Sequence, residues 1–241
     1  MDFPEFKKFV LETTRDDDKY YKIISERYPF LIPTNVWSGK IEDYDYSYLI
    51  GFWHNGWKEL FLTYCEKVKP EFDKLIFETR SKLGHDTKAP LTIEELNKLR
   101  DEGLPFITDC KEKYGTCRVY WSSGTTEMHK AESIIDMLSS VTCMRCGKVP
   151  RTSDGRHLIW QTRGWITNYC KDCLEKNYTS GGNVKKSDRK DFKKYRDSCR
   201  IAHSKYFVIE SWGRDSHTKT FYKDTNDGWL EVDHVETIEE K

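Results

Sequence analysis

Four cysteines at two close spacings constrain this chain more than any other feature. In "TCMRCGKVPRTSDGRHLIWQTRGWITNYCKDC", Cys143 and Cys146 are followed by Gly147, and Cys170 and Cys173 close the segment. A Cys-x-x-Cys turn aims two thiolates at one point, and two such turns supply the sulfur tetrahedron that zinc prefers. The other reading, a pair of redox dithiols, needs a thioredoxin-like βαβ setting, and the surrounding sequence has none. We therefore expect one structural Zn2+ on Cys143, Cys146, Cys170 and Cys173. A site closed by four sulfurs has no open position for water or substrate, so it is a scaffold. The intervening "WQTRGWITNY" should supply the strand pair of a zinc ribbon, with Trp160 and Trp165 packed over the metal turns.

The other four cysteines, Cys65, Cys110, Cys117 and Cys199, have no such spacing. The opening "MDFPEFKKFVLETT" has no basic region followed by an apolar stretch, so no secretory signal is expected there. No apolar run approaches the roughly 18 residues a membrane span needs. We expect a cytoplasmic protein whose cysteines are free thiols or metal ligands. Hydrophobic residues make up only 37% of the 241, but aromatics reach 14%, so the core should be built from Phe, Tyr and Trp.

Formal net charge is zero, whereas proteins that live on nucleic acid usually carry a basic excess. One local patch exists. Residues 181–206 hold nine Lys/Arg against three Asp, and residues 207–241 hold four Lys/Arg against nine Asp/Glu. A basic segment beside an acidic one is by default a solvated face or a mutually paired one.

The expected fold class is α+β, in three parts. Residues 1–140 form a helical core with a central hairpin, residues 141–179 the zinc ribbon, and residues 180–241 a basic helix and a small antiparallel meander. In the first part, Phe3, Phe6, Phe9 and Val10 make a helical stripe with Pro4 in the first turn, and "DDDKYYKIISERYPF" reads as a second helix. "GWKELFLTYCEKV" places Trp57, Leu60, Phe61 and Tyr64 on one face, and Pro70 should end it. "EFDKLIFETRSKLG" reads as a further helix, and Thr92 with Glu95 forms a capping box before another that closes at Gly103. "LPFITDCKEKYGTCRVYWSSG" alternates about a glycine turn as a hairpin does. Met128, Ala131, Ile135 and Leu138 then line the inward face of a helix. "KKSDRKDFKKYRDSCRIAH" is the basic helix, and "KYFVIESW", "TKTFYK" and "GWLEVDHV" are the meander.

Other chemistry is thinly represented. His157 and Asn168 lie inside the double-cysteine segment, as they would in a zinc-stapled HNH nuclease. The Asp-His pair and a His directly after Cys173 are missing, so the nuclease roles cannot be filled. Glu127, His129, Glu132 and Asp136 read as a solvated helix face. Cys199 and His203 form an isolated i, i+4 pair, too few ligands for a stable site. Cys110 and Cys117 flank the hairpin turn as small hydrophobes, Cys65 is a core thiol, and Arg214, Asp215 and His217 are a polar turn.

The segments "YYKIISERYPFLI", "GFWHNGWKELFLTYCEKV", "CKEKYGTCRVYWSSG", "AESIIDMLSSVTCMRCGK" and "RGWITNYCKDC" occur in that order. This order resembles a widespread family of uncharacterised proteins of tailed bacteriophages and prophages, with a Lys-Glu-Lys-(Phe/Tyr)-Gly hairpin followed by a four-cysteine zinc ribbon. Lys111, Glu112, Lys113, Tyr114, Gly115, Arg118 and Tyr120 fill the hairpin pattern. Ala131 and Glu132 fill the helix, and Cys143, Cys146, Trp165, Ile166, Cys170 and Cys173 fill the ribbon. The match covers roughly residues 20–70 and 104–174, so residues 71–103 look like an insertion and 180–241 an extension. The resemblance implies a phage-type product acting inside a bacterial host cell, and no particular reaction.

The function expected from these features is non-catalytic. It is a zinc-stabilised binding protein whose partner is a host or phage protein, host defence enzymes included, with abundant aromatics as interface anchors. The alternative is a nucleic-acid-binding accessory protein acting through the zinc ribbon and the basic helix. Its phosphate-tracking residues would be Lys185, Lys186, Arg189, Lys190, Lys193, Lys194, Arg196 and Arg200, aided by Phe192 and Tyr195. A metal-dependent nuclease using His157 is the third reading.

Overall fold

The computed structural model describes residues 1–13, 18–35, 37–42, 55–153, 155, 157–162, 166–179, 191–202, 206–212, 217–225 and 228–232. The chain is α+β and divides into two compact units, Met1–Lys148 and Val149–Lys241.

In the first unit the expected stripe becomes α1 (Phe3–Glu12), with Phe6 and Val10 buried. The Asp2 side chain accepts the Glu5 N–H, and Pro4 sits in the first turn, where its missing donor costs nothing. Helix α2 (Asp18–Arg27) leads into a turn of 3₁₀ helix at Pro29–Leu31, buried at all three residues. Helix α3 (Lys58–Leu83) is followed by α4 (Ile93–Asp101), whose Thr92 hydroxyl accepts the Glu95 N–H; only this half of the expected capping box forms, because the Glu95 carboxylate pairs with Arg80. Arg100 on α4 reaches back to donate to the carbonyls of Pro29 (3.1 Å) and Ile32 (2.8 Å).

Pro70 does not end α3, contrary to expectation; the helix runs through it for 26 residues. Pro70 has no N–H to offer the Glu66 carbonyl, a defect worth about 3 kcal/mol in a helix interior. The residue faces solvent, where water can serve that carbonyl. Phe61, Tyr64, Cys65 and Val68 before it and Phe72 after it are all buried in one core. At about 1.5–3 kcal/mol per large apolar side chain, keeping both halves on that core outweighs the lost bond.

Strands β1 (Ile107–Lys113) and β2 (Thr116–Trp121) form the predicted hairpin. Its two-residue turn, Tyr114 at φ 56° and Gly115 at φ 79°, has the double left-handed geometry that matches strand twist. Helix α5 (Thr126–Ser140) packs on β2 and α3. Its buried stripe is Met128, Ala131, Ile135 and Ser139, with Met137 also buried, while Leu138 is only half-buried. The inward place in the last turn goes to Ser139 because its hydroxyl accepts the Cys117 N–H at 2.7 Å. The core is aromatic, as composition implied: Phe6, Tyr20, Tyr28, Phe30, Trp57, Phe61 and Phe72 are its largest fully buried side chains. Residues 71–103 contribute Phe72, Leu96 and Leu99 to it.

In the second unit, β3 (Ile159–Gln161) lies between β4 (Asn168–Tyr169) and β5 (Arg200–Ala202), all antiparallel. Helices α6 (Lys171–Thr179) and α7 (Phe192–Ser198) supply Leu174 and Tyr195 to a small core with Trp160 and Cys199. Strands β6 (Tyr206–Trp212), β7 (His217–Thr225) and β8 (Gly228–Val232) form the expected three-stranded meander. The described part of the basic helix is shorter than its sequence pattern. It ends at Ser198 because the next residues pair with β3, Ile201 opposite Trp160. No helix among the described residues is long and apolar enough to cross a membrane.

Candidate metal centre

The Sγ atoms of Cys143, Cys146, Cys170 and Cys173 all lie within 4.8 Å of one another. A tetrahedral ion with metal–sulfur bonds of about 2.3 Å needs sulfurs roughly 3.8 Å apart, so the four residues fit a metal ion. Among the described residues this is the only group of three or more Cys, His, Asp or Glu side chains so placed. Cys143, Cys170 and Cys173 are buried and Cys146 is exposed.

The first turn is shaped by backbone hydrogen bonds. Gly147 N–H donates to the Cys143 carbonyl at 2.9 Å, and Cys143 N–H donates to the Lys148 carbonyl at 2.9 Å. Gly147 stands at φ 75°, a left-handed position that explains glycine directly after the second cysteine. Residues ahead of α3 meet this turn from outside it. Gly56 N–H donates to the Met144 carbonyl (3.0 Å), and the Trp57 indole N–H donates to the Thr142 carbonyl (3.1 Å). Sequence reasoning placed Trp57 on a helix face and gave Gly56 no role.

Cys170 stands between β4 and α6, and Cys173 is buried in the first turn of α6. Leu174 N–H donates to the Cys170 carbonyl at 2.9 Å.

The remaining cysteines are core residues. Burial pushes the Cys65 and Cys110 thiols well above their usual range, which keeps them protonated. Cys110 is register partner to Val119 and Cys117 to Glu112, so the two cysteines are diagonal neighbours on the inward hairpin face. Cys199 is buried and donates its thiol to the Tyr195 carbonyl at 3.4 Å. His203, Arg214, Asp215 and Trp165 lie outside the described residues.

His157 and Asn168 are both buried, at 1% and 0% exposure, which leaves neither open to a substrate. On α5, His129 lies 3.1 Å from Glu132, and Asp136 pairs with Arg118 at 2.8 Å, as a solvated face would. Nothing in the described geometry indicates catalysis. Of the expected basic surface, Lys193, Lys194 and Arg196 lie on α7 and Arg200 on β5. Lys185, Lys186, Arg189 and Lys190 lie outside the described residues. Tyr195 is not available for stacking on a base: it is buried beside Tyr178, with ring centroids 5.4 Å apart, and Phe192 packs on the same Tyr178 ring.

No family model matches the chain, and no match was found among curated proteins or solved structures. The functional reading therefore stands on the four thiols and the surface around them.

Proposed function

We propose that this is a zinc-stabilised, non-catalytic binding protein of phage type whose partner is a protein in the bacterial host cell, a defence enzyme included. The observation that carries the reading is the convergence of four cysteine sulfurs, a donor set that suits Zn2+ and leaves no position for a substrate. A protein partner is supported by Trp37, 93% exposed on an internally bonded loop. There the Asn35 side chain accepts the Trp37 N–H (2.8 Å) and the Ser38 N–H (3.2 Å). The loop's far end is held by Asn97, which both accepts from and donates to the Ile41 backbone. An exposed Trp on a pre-formed loop is the kind of anchor that interfaces use. The phage and host setting rests on the ordered set of motifs.

The test has two parts. Metal analysis of protein purified without added metal should return one zinc per chain. Tagged protein should then retain one host protein in stoichiometric amount from nuclease-treated lysate at moderate salt, and Trp37→Ala should release it. Absence of metal, or a Trp37→Ala variant that retains the same protein equally, counts against the corresponding half of the reading.

One observation favours nucleic-acid binding as a second reading. The outer face of the hairpin carries exposed Lys111, Lys113, Tyr114 and Tyr120, with Arg118 half-buried beside them. Lys111 pairs with Asp109 and Arg118 with Asp136, which reduces the charge left for phosphate. Phosphate-driven affinity for an oligonucleotide would fall steeply between low and moderate salt.

A further inference from the structure

The contact between Gly56 and the first cysteine turn is closer than any side chain allows. A Cβ on Gly56 would lie 2.2 Å from the Cys143 carbonyl oxygen, 2.6 Å from the Gly147 nitrogen and 2.7 Å from the Met144 carbonyl carbon. All three are backbone atoms, which cannot swing aside as the end of a flexible side chain can. The approach is mutual: a Cβ on Gly147 would lie 2.9 Å from the Gly56 carbonyl oxygen. The two glycines thus press backbone against backbone, and the Gly56 N–H uses that proximity to bond the Met144 carbonyl. Next door, Trp57 is fully buried in the helical core and its indole N–H holds the Thr142 carbonyl, one residue before the first thiol. Met144, inside the turn, is itself 2% exposed and belongs to that core.

We infer that Gly56 and Trp57 are positioning residues of the metal centre, holding the turn at residues 142–147 in its ligand-presenting form from the N-terminal end of α3. The inference rests on the proposed metal site and adds a physical claim to it. Two of the four ligands are arranged by core packing and not by the metal alone, so less ordering is left for the metal to impose. Residues that orient metal ligands without touching the ion commonly change affinity by roughly 10–100-fold when altered.

The experiment titrates Co2+ into the anaerobic, reduced apoprotein, following the thiolate-to-cobalt charge-transfer band and the visible bands of tetrahedral cobalt. A chelating dye then ranks Zn2+ affinity by competition. Gly56→Ala should weaken binding at least 10-fold. Trp57→Phe keeps most of the ring and deletes the donor to Thr142; it should weaken binding several-fold, and it carries the test alone if Gly56→Ala fails to fold. The far-ultraviolet circular dichroism of Trp57→Phe should stay native, so that the loss reads on the site. Wild-type affinity and spectrum in the folded variants would overturn the inference while leaving the metal site standing. A wild-type protein that gives no thiolate–cobalt band would overturn both.

Discussion

Glu66 illustrates how single residues hold the helical unit together. Its carboxylate accepts from the Tyr28 hydroxyl (2.7 Å) and from Nε (3.1 Å) and Nη2 (2.8 Å) of Arg27, whose guanidinium also lies 4.8 Å from the Phe6 ring centre. Partial burial alone would raise the Glu66 pKa, but the hydrogen bonds from Arg27 and Tyr28 together outweigh it and hold the group below its ordinary value. Burial, with the bond to Glu66, pushes the Tyr28 phenol far up, so it stays a donor at all ordinary pH. A depressed folded-state pKa means that the contribution is fully present above the unfolded carboxylate value of about 4.3 and is lost as pH falls through the lower folded value. Glu66→Gln should therefore cost about 1–2 kcal/mol at pH 7 and little in acid. Denaturant melts of both proteins from pH 7 down to pH 3 check this; a gap that stays constant with pH would show that the charge is not what matters.

Among the elements, α3 is the one whose sequence misleads. Local propensity says that Pro70 stops it, and tertiary burial on both sides of Pro70 carries it through. Because the Glu66 carbonyl there has no helical donor, Pro70→Ala should raise stability by about 1–3 kcal/mol and the melting temperature by several degrees. An unchanged or lower melting temperature would mean that the packing of α3 depends on the proline. Elements governed by neighbours in sequence were legible beforehand. Thr92 caps α4 because the cap is a three-residue interaction, and the hairpin turns at Tyr114-Gly115 because glycine permits it. The four thiols were legible for the same reason, since each pair is a local turn. Gly56 was not, because the atoms that forbid a side chain there come from a turn far along the chain. Nor was the burial of Tyr195, which depends on α6 supplying Tyr178. In each case the deciding contact is tertiary and leaves no periodic trace.

For the whole molecule, 40 basic side chains balance 40 acidic ones, so any long-range electrostatic field comes from how the charges are distributed and not from an excess of one sign. Cohesion around the cysteines is a different matter, because metal binding at such a site is folding energy. Stripping the metal with a strong chelator, or Cys146→Ser, should expose backbone amides of residues 149–175 to hydrogen exchange while α1, α4 and the turn at residues 142–147, which the core holds, keep their protection. Unchanged exchange after verified metal loss would show that the segment folds without it. The hydrogen bond from Trp57 to Thr142 spans 85 residues of sequence, and this bears on the order of events during synthesis. Once residue 148 has left the ribosome, Gly56, Trp57 and the backbone groups that bond within the first cysteine turn are all outside it. Cys170 and Cys173 are then still inside it, so the turn that presents Cys143 and Cys146 can form before the other two thiols reach it.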